Sequence, residues 1–175
     1  MITLSLDLST KSSGWAIFEN TELQDYGCIT AASTNLFNRI EKMITELNKI
    51  VDKYNPDKVI VEEVLPEDVR HNQNTFKALI YLQAIVAYEF NKKKKSLEFY
   101  TSSEWRKKCG IQTGRGIKRE TLKQADINFV KEHYNKNVND DVADAICIGY
   151  AYTNKPIPVK KTNTKPIIID GFEFR

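Results

Sequence analysis

The chain has 175 residues, enough for one domain with a real core and too few for two sizeable ones, and its 41% hydrophobic and 28% charged residues are ordinary for a globular protein. No apolar run approaches the ~20 residues that cross a bilayer, and the N-terminus does not read as a signal peptide. Three scattered cysteines (Cys28, Cys109, Cys147) and two histidines (His71, His133) argue against a disulfide framework or a zinc site, and for free thiols in a reducing cytoplasm.

ITLSLDL is a strand candidate running to Asp7, and GWAIFE (14–19) and LQDYGCIT (23–30) are further strand-like runs separated by tight turns, so an antiparallel meander is expected. LFNRIEKMITELNKIVDKY (36–54) places Ile40, Met43, Leu47 and Val51 at helical spacing and ends at Asn55-Pro56-Asp57. KVIVEEV (58–64) is a short apolar run closing on two glutamates, typical of a strand buried on both faces. Residues 66–74 read as a loop. TFKALIYLQAIVAYEF (75–90) is apolar nearly all round, more than one sheet face can cover, so this helix is either central or shared with a partner subunit. SLEFY (96–100) reads as a strand, and Ser102 or Ser103 as the cap of a short helix through Trp105. A Gly-rich loop over 110–116 precedes helices at about 118–134 and 140–153, and Asp140 suits the N-cap of the second. Pro156, Pro158 and Pro166 mark a tail, with a late strand at IIID. The order predicts an α/β fold: a mixed five-stranded sheet, meander plus parallel strands, flanked by helices over 1–153, followed by a tail over 154–175 that is either partly disordered or an added strand.

The net charge of +3 is too small to name a partner, but basic residues cluster at 92–95, at 106–108, around 115–123 and in the tail from 155 to 165. Each cluster alone suits a solvated loop. Several of them flanking acidic candidates suit a polyanion.

Four acidic positions fall where these elements let them converge. Asp7 ends the first strand, Glu62 and Glu63 end the fourth, and Asp141 and Asp144 lie three apart on the last helix and so share a face. Each has an ordinary explanation as a turn, an exposed strand end or a helix start. Their order and spacing together point to a cation site, because converging carboxylates repel unless a cation neutralises them. Oxygen ligands without histidine or cysteine suit Mg²⁺ or Mn²⁺, and a pair of such ions about 3.5–4 Å apart activates a water and stabilises the leaving oxygen of a phosphodiester. Strand alternation leaves open whether Glu62 or Glu63 faces the site.

LSLDLSTKSSGWAIF, PDKVIVEEV, TSSEWRKKCGI, GRGIKRETLK and NDDVADAICIGYA, read together, resemble the RuvC-type Holliday junction resolvases, a branch of the RNase H-like nucleases, and particularly the bacteriophage versions. The likeness runs from residue 1 to about 153 and favours Glu62 over Glu63. It implies an RNase H-like fold in which Asp7, Glu62, Asp141 and Asp144 bind two Mg²⁺ ions, with Mn²⁺ as a substitute. It implies a homodimer packed through helix 75–90 that makes paired nicks across four-way DNA junctions, leaving 5′-phosphate and 3′-hydroxyl ends. Lys118 is the expected basic residue at the scissile phosphate, with Arg106 or Lys107 second, and Arg115 and Arg119 complete the expected DNA contacts. Two features depart from the family pattern. Asp7 is followed by Leu8-Ser9-Thr10 in place of D-P-G, and Leu65 and Pro66 stand where relatives carry a base-stacking aromatic, so cleavage specificity is not expected to transfer.

Three other readings meet the same residues. An actin-like ATPase would use the turn after Asp7 as a phosphate hairpin, but needs a second phosphate loop and an adenosine site from a duplicated domain, usually over more than double this length. RNase H-like nucleases that trim ribosomal RNA precursors share the Asp, Glu and Asp positions, yet lack the S-x-W-R and basic segments. A catalytically silent junction-binding protein would be favoured by a missing carboxylate, and none is missing.

Overall fold

The structure, a computed structural model, describes residues 1–66 and 72–154, together with the backbone of two short strands at Ile167–Ile169 and Phe172–Phe174. Strands β1 (Ile2–Asp7), β2 (Ser12–Glu19) and β3 (Glu22–Thr30) form the expected antiparallel meander. The two-residue β2–β3 turn puts Asn20 at φ 55°, a left-handed conformation that asparagine tolerates. β2 begins two residues earlier than the apolar run suggested, because Ser12 and Ser13 pair with Thr30 and Ile29.

Helix α1 (Leu36–Tyr54) starts at Asn35, whose side chain accepts hydrogen bonds from the Phe37 and Asn38 N–H groups. It stops at Asn55, left-handed at φ 46°, just before Pro56. Strand β4 (Lys58–Glu62) then runs parallel to β1, helix α2 (Gln73–Lys92) crosses back, and strand β5 (Ser96–Tyr100) runs parallel to β4. The sheet order is β3-β2-β1-β4-β5, the mixed five-stranded arrangement expected from the sequence.

Alternation along the strands divides the core. Leu4, Leu6, Ile17, Val59 and Val61 face α1 and α2, meeting Ile40, Met43, Leu47, Leu82, Val86 and Phe90. Ala16, Phe18 and Ile60 face the helices that follow: α3 (Ser102–Lys108), α4 (Arg119–Tyr134) and α5 (Asp140–Thr153). Each large apolar side chain fully buried here contributes about 1.5–3 kcal/mol. Helix α5 is buried almost all round and lies across β1 and β2.

It comes so close because small residues line the contact. Ser5 Oγ donates to the Ala145 carbonyl at 2.7 Å, and a β-carbon on Gly149 would overlap the Phe18 ring.

Two caps differ from expectation. Helix α3 is capped by Thr101 in a reciprocal capping box with Glu104, not by Ser102 or Ser103, since only a residue preceding the first turn can reach its N–H groups. Helix α5 is capped by Asn139, and Asp140, one residue inside the helix, pairs with Lys123. The strand expected at IIID is present over Ile167–Ile169 but pairs with Phe172–Phe174 in a separate two-stranded sheet. The remaining tail, including the basic run from 155 to 165, lies outside the described residues, as does His71.

Candidate active site

Parallel pairing sets the first two carboxylates side by side. Leu6 pairs with Val61, so the next residues along, Asp7 and Glu62, end adjacent strands at the same sheet edge. Helix α5 starts beside them: Asp7 lies opposite Gly14, and a β-carbon on Gly14 would overlap the Asp141 carbonyl. Asp7, Glu62, Asp141 and Asp144 therefore line one open cavity of about 900 Å³. Glu63 does not line it. That residue gives its backbone N–H to the Tyr100 carbonyl, and burial, with Glu104 nearby, raises its pKa. Of the two glutamates that strand alternation left open, Glu62 is the one that lines the cavity.

Glu62 and Asp141 are each held by a different neighbour. Trp105, buried on α3, donates from Nε1 to Glu62 Oε2 at 3.0 Å, while Gln83 on α2 donates to the Glu62 backbone carbonyl at 2.6 Å. Ser12 Oγ donates to Asp141 Oδ2 in a short hydrogen bond. The Asp144 side chain stands 3.6 Å from Arg106. Ser13 ties the loop after Asp7 by accepting from the Ser9 N–H at 2.9 Å and donating to the Ser9 carbonyl at 2.6 Å.

The electrostatics are those of crowded anions. Burial, then Glu62 and Asp141, push the Asp7 carboxyl well above its usual range, opposed by Lys123 and Arg106. Burial, then Asp7 and Asp126, push Asp144 up to about 10. Asp144 Oδ1 is moreover a buried oxygen without a hydrogen-bond partner. A hard divalent cation relieves both defects, and an all-oxygen donor set is what Mg²⁺ and Mn²⁺ take. Among the described residues no three histidine, cysteine, aspartate or glutamate side chains stand gathered as a ready metal site. Asp7, Glu62, Asp141 and Asp144 line the cavity as an oxygen-only donor set, and that chemistry fits a hard cation.

The basic residues sort differently from expectation. Arg119 and Lys123, one turn apart on α4, line the cavity, as do Lys11 and Arg39. Lys118, the α4 N-cap, is exposed and is not among the lining residues. Lys107 and Arg115 are likewise exposed outside the lining. Arg106 lines the cavity but is only 8% exposed, because it forks onto the fully buried Asp126.

Sequence reasoning missed Ser12, Arg39, Lys123 and Asp126. Asp126 did carry a signal: a charge at i with apolar Phe129 and Val130 at i+3 and i+4 sits on the buried face of its helix.

Comparison with known proteins agrees with this geometry. The family model described as crossover junction endodeoxyribonuclease RuvC matches residues 3–152. Curated relatives of that name include one from Finegoldia magna, 27% identical over 158 residues (87% of this chain, 92% of the relative). Another, from Dictyoglomus thermophilum, is 26% identical over 166 residues (87% and 97%). Among solved structures, T. thermophilus RuvC in complex with a Holliday junction substrate superposes with a TM-score of 0.70 at 12% identity, covering 86% of this chain and 92% of that one. The Fowlpox virus resolvase, solved with substrate Holliday junction DNA, superposes at 0.52 with 20% identity, covering 88% and 97%. The structural likenesses show that the chain shares the fold of these proteins.

Proposed function

The chain belongs to the RuvC family of crossover junction endodeoxyribonucleases, and we propose that Asp7, Glu62, Asp141 and Asp144 are its metal ligands, holding two Mg²⁺ ions for which Mn²⁺ substitutes. The protein is an endonuclease that resolves Holliday junctions. The observation that carries the site assignment is the convergence of all four carboxylates on one cavity, with Asp144 Oδ1 buried and unpartnered there.

Bound at this lining, divalent cations supply an activated water and stabilise the leaving oxygen of an in-line phosphodiester displacement. The protein's own groups do the positioning. Asp7 lies between Glu62 and the start of α5, so it would be one of the residues that hold a cation at this edge of the sheet. Trp105 fixes the Glu62 carboxylate, Ser12 orients Asp141, and Arg119 and Lys123 stand where a phosphate entering the cavity meets positive charge. Lys118, Lys107 and Arg115, exposed beyond the cavity, are assigned to the DNA backbone further out. The nuclease domain is taken as residues 1–153.

The active unit is a homodimer packed through α2. One face of this helix is buried through Leu82, Val86 and Phe90, while the other leaves Ile80, Tyr81 and Tyr88 at 37%, 47% and 64% exposure. Paired nicking of a symmetric junction requires two sites, which such an interface supplies.

The test is cleavage of matched four-way, three-way, flap and linear DNA, with matched RNA, in Mg²⁺. The expected result is paired nicking of the four-way junction and none by Asp7→Asn. Cleavage of the RNA alone would reassign the protein to RNA processing.

A further inference from the structure

Behind the cavity lies a buried acidic group that the carboxylate site does not account for. Asp126, on α4, is fully buried and does not line the cavity. It receives three hydrogen bonds from Arg106: from Nε at 3.2 and 3.0 Å to its two oxygens, and from Nη2 at 2.8 Å. The same Nη2 stands 3.6 Å from Asp144 Oδ2, beyond hydrogen-bond range. The guanidinium is also stacked over the neighbouring Trp105 ring, 4.1 Å from its centroid, and Trp105 in turn holds Glu62. One cation thus sits between two buried carboxylates, hydrogen-bonded to the rear one and in a longer ion pair, without a hydrogen bond, to Asp144.

We propose that Asp126 is a positioning residue that keeps Arg106 off Asp144, so that the Asp144 oxygens stay available to a divalent cation. The physical reason is competition. A buried guanidinium is not left unpaired, because an uncompensated buried charge costs several kcal/mol. Without the Asp126 carboxylate, the nearest anion for Arg106 is Asp144, less than 1 Å beyond hydrogen-bond distance. Closing that gap would turn a long ion pair into a hydrogen-bonded one and occupy the carboxylate that a cation needs. With Asp126 present, the guanidinium is neutralised from behind and held by a two-pronged grip that a lysine could not match. Asp126 is itself steadied from α5, since its backbone carbonyl accepts from the Cys147 thiol at 3.8 Å, one turn beyond Asp144.

This inference rests on the reading of the four carboxylates as the cation site, and the experiment separates the two. Mn²⁺ binding is measured by calorimetry on the whole protein without DNA, for wild type, Asp126→Asn, Arg106→Gln and the double variant, with thermal melting to establish folding. Asp126→Asn is expected to weaken Mn²⁺ binding by about 10–100-fold, the range found when a group orienting a metal ligand is removed. The double variant, in which no guanidinium remains to capture Asp144, is expected to return to near wild-type affinity. In cleavage assays, excess Mn²⁺ should rescue Asp126→Asn, with junction affinity unchanged.

A folded Asp126→Asn that binds Mn²⁺ as wild type does would overturn the inference, as would a double variant as weak as the single one. Should Asp126→Asn fail to fold, the double variant decides alone: wild-type affinity supports competition, and a tenfold loss marks Asp126 as a direct contributor and overturns it. Absence of Mn²⁺ binding in wild type would instead defeat the reading of the cation site.

Discussion

Gly14 on β2 and Asp141 on α5 are packed backbone against backbone, with no room between them for a β-carbon. Asp7 pairs with Gly14 across the β1–β2 ladder, so this contact joins the first carboxylate to the start of the helix that carries two others. The close approach is a device for placing charge. It sets the α5 N-terminus on the sheet directly beside Asp7, and the Ser5 and Gly149 contacts hold the rest of the helix down.

Gly14→Ala should therefore damage activity more than stability. The obstructing atoms are backbone, so no rotamer change relieves the overlap and the helix start must move. Overpacking of this kind costs about 1–3 kcal/mol, visible as a lowered melting temperature. A displacement near 1 Å of Asp141 and Asp144 should lower the cleavage rate by about 100-fold. Gel-shift binding of four-way DNA should persist.

The two glutamates closing β4 should behave oppositely. Glu62 lines the cavity and is gripped by Trp105, whereas Glu63 lies away from it. Glu62→Gln should abolish cleavage, and Glu63→Gln should leave it near wild type. Trp105→Phe keeps most of the buried ring but removes the indole N–H, and should reduce Mn²⁺ affinity by about tenfold. Single-turnover cleavage and metal titration measure all three. Activity in Glu62→Gln with loss in Glu63→Gln would reverse the assignment.

Much of this was legible before the structure. Period-2 runs, one amphipathic helix and tight turns are local signals, and they were enough for the meander and the mixed five-stranded sheet. The carboxylates were legible because each ends a strand or starts a helix, where sequence marks the boundary. Side-chain commitments were not. Arg106 and Lys118 look alike in a basic segment, yet one is bound to Asp126 and the other is exposed at a helix cap, a difference set by packing between α3, α4 and α5. Ser12 was hidden for the same reason: its partner Asp141 is 129 residues away.

The acidic cluster should make the cation-free protein less stable as pH rises. Asp7 and Asp144 both have folded pKa values above their ordinary ones, through burial and then neighbouring carboxylates: Glu62 and Asp141 for Asp7, Asp7 and Asp126 for Asp144. For a raised acid the folded state binds more protons, so its contribution is fully present below the usual carboxylate pKa and is lost as pH climbs toward the folded value, about 10 for Asp144. Melting temperature without metal should fall from about pH 5 to about pH 9, and Mg²⁺ should flatten the slope. Asp7→Asn should melt higher than wild type at the upper end, bind junctions at least as well, and cleave nothing. A cation-free wild type whose melting temperature rises across that window, relative to Asp7→Asn, would contradict the repulsion argument.

The exposed face of α2 gives the last expectation. Tyr81 stacks on Phe37 of α1 with ring centroids 6.4 Å apart, and Ile80 and Tyr88 lie open beside them. Apolar and aromatic surface of this kind, continuous along one helix, marks an interface. In the proposed homodimer a second copy of the chain would bury it symmetrically. Replacing both Ile80 and Tyr88 with glutamate sets like charges against each other across a two-fold contact, while each subunit's own core remains intact because neither side chain is buried in it. The double variant should run as a monomer by light scattering at micromolar protein, keep its melting temperature within a few degrees of a dissociated wild type, and lose paired nicking of four-way DNA. A wild-type protein that is monomeric at that concentration yet nicks in pairs would remove α2 as the dimer contact.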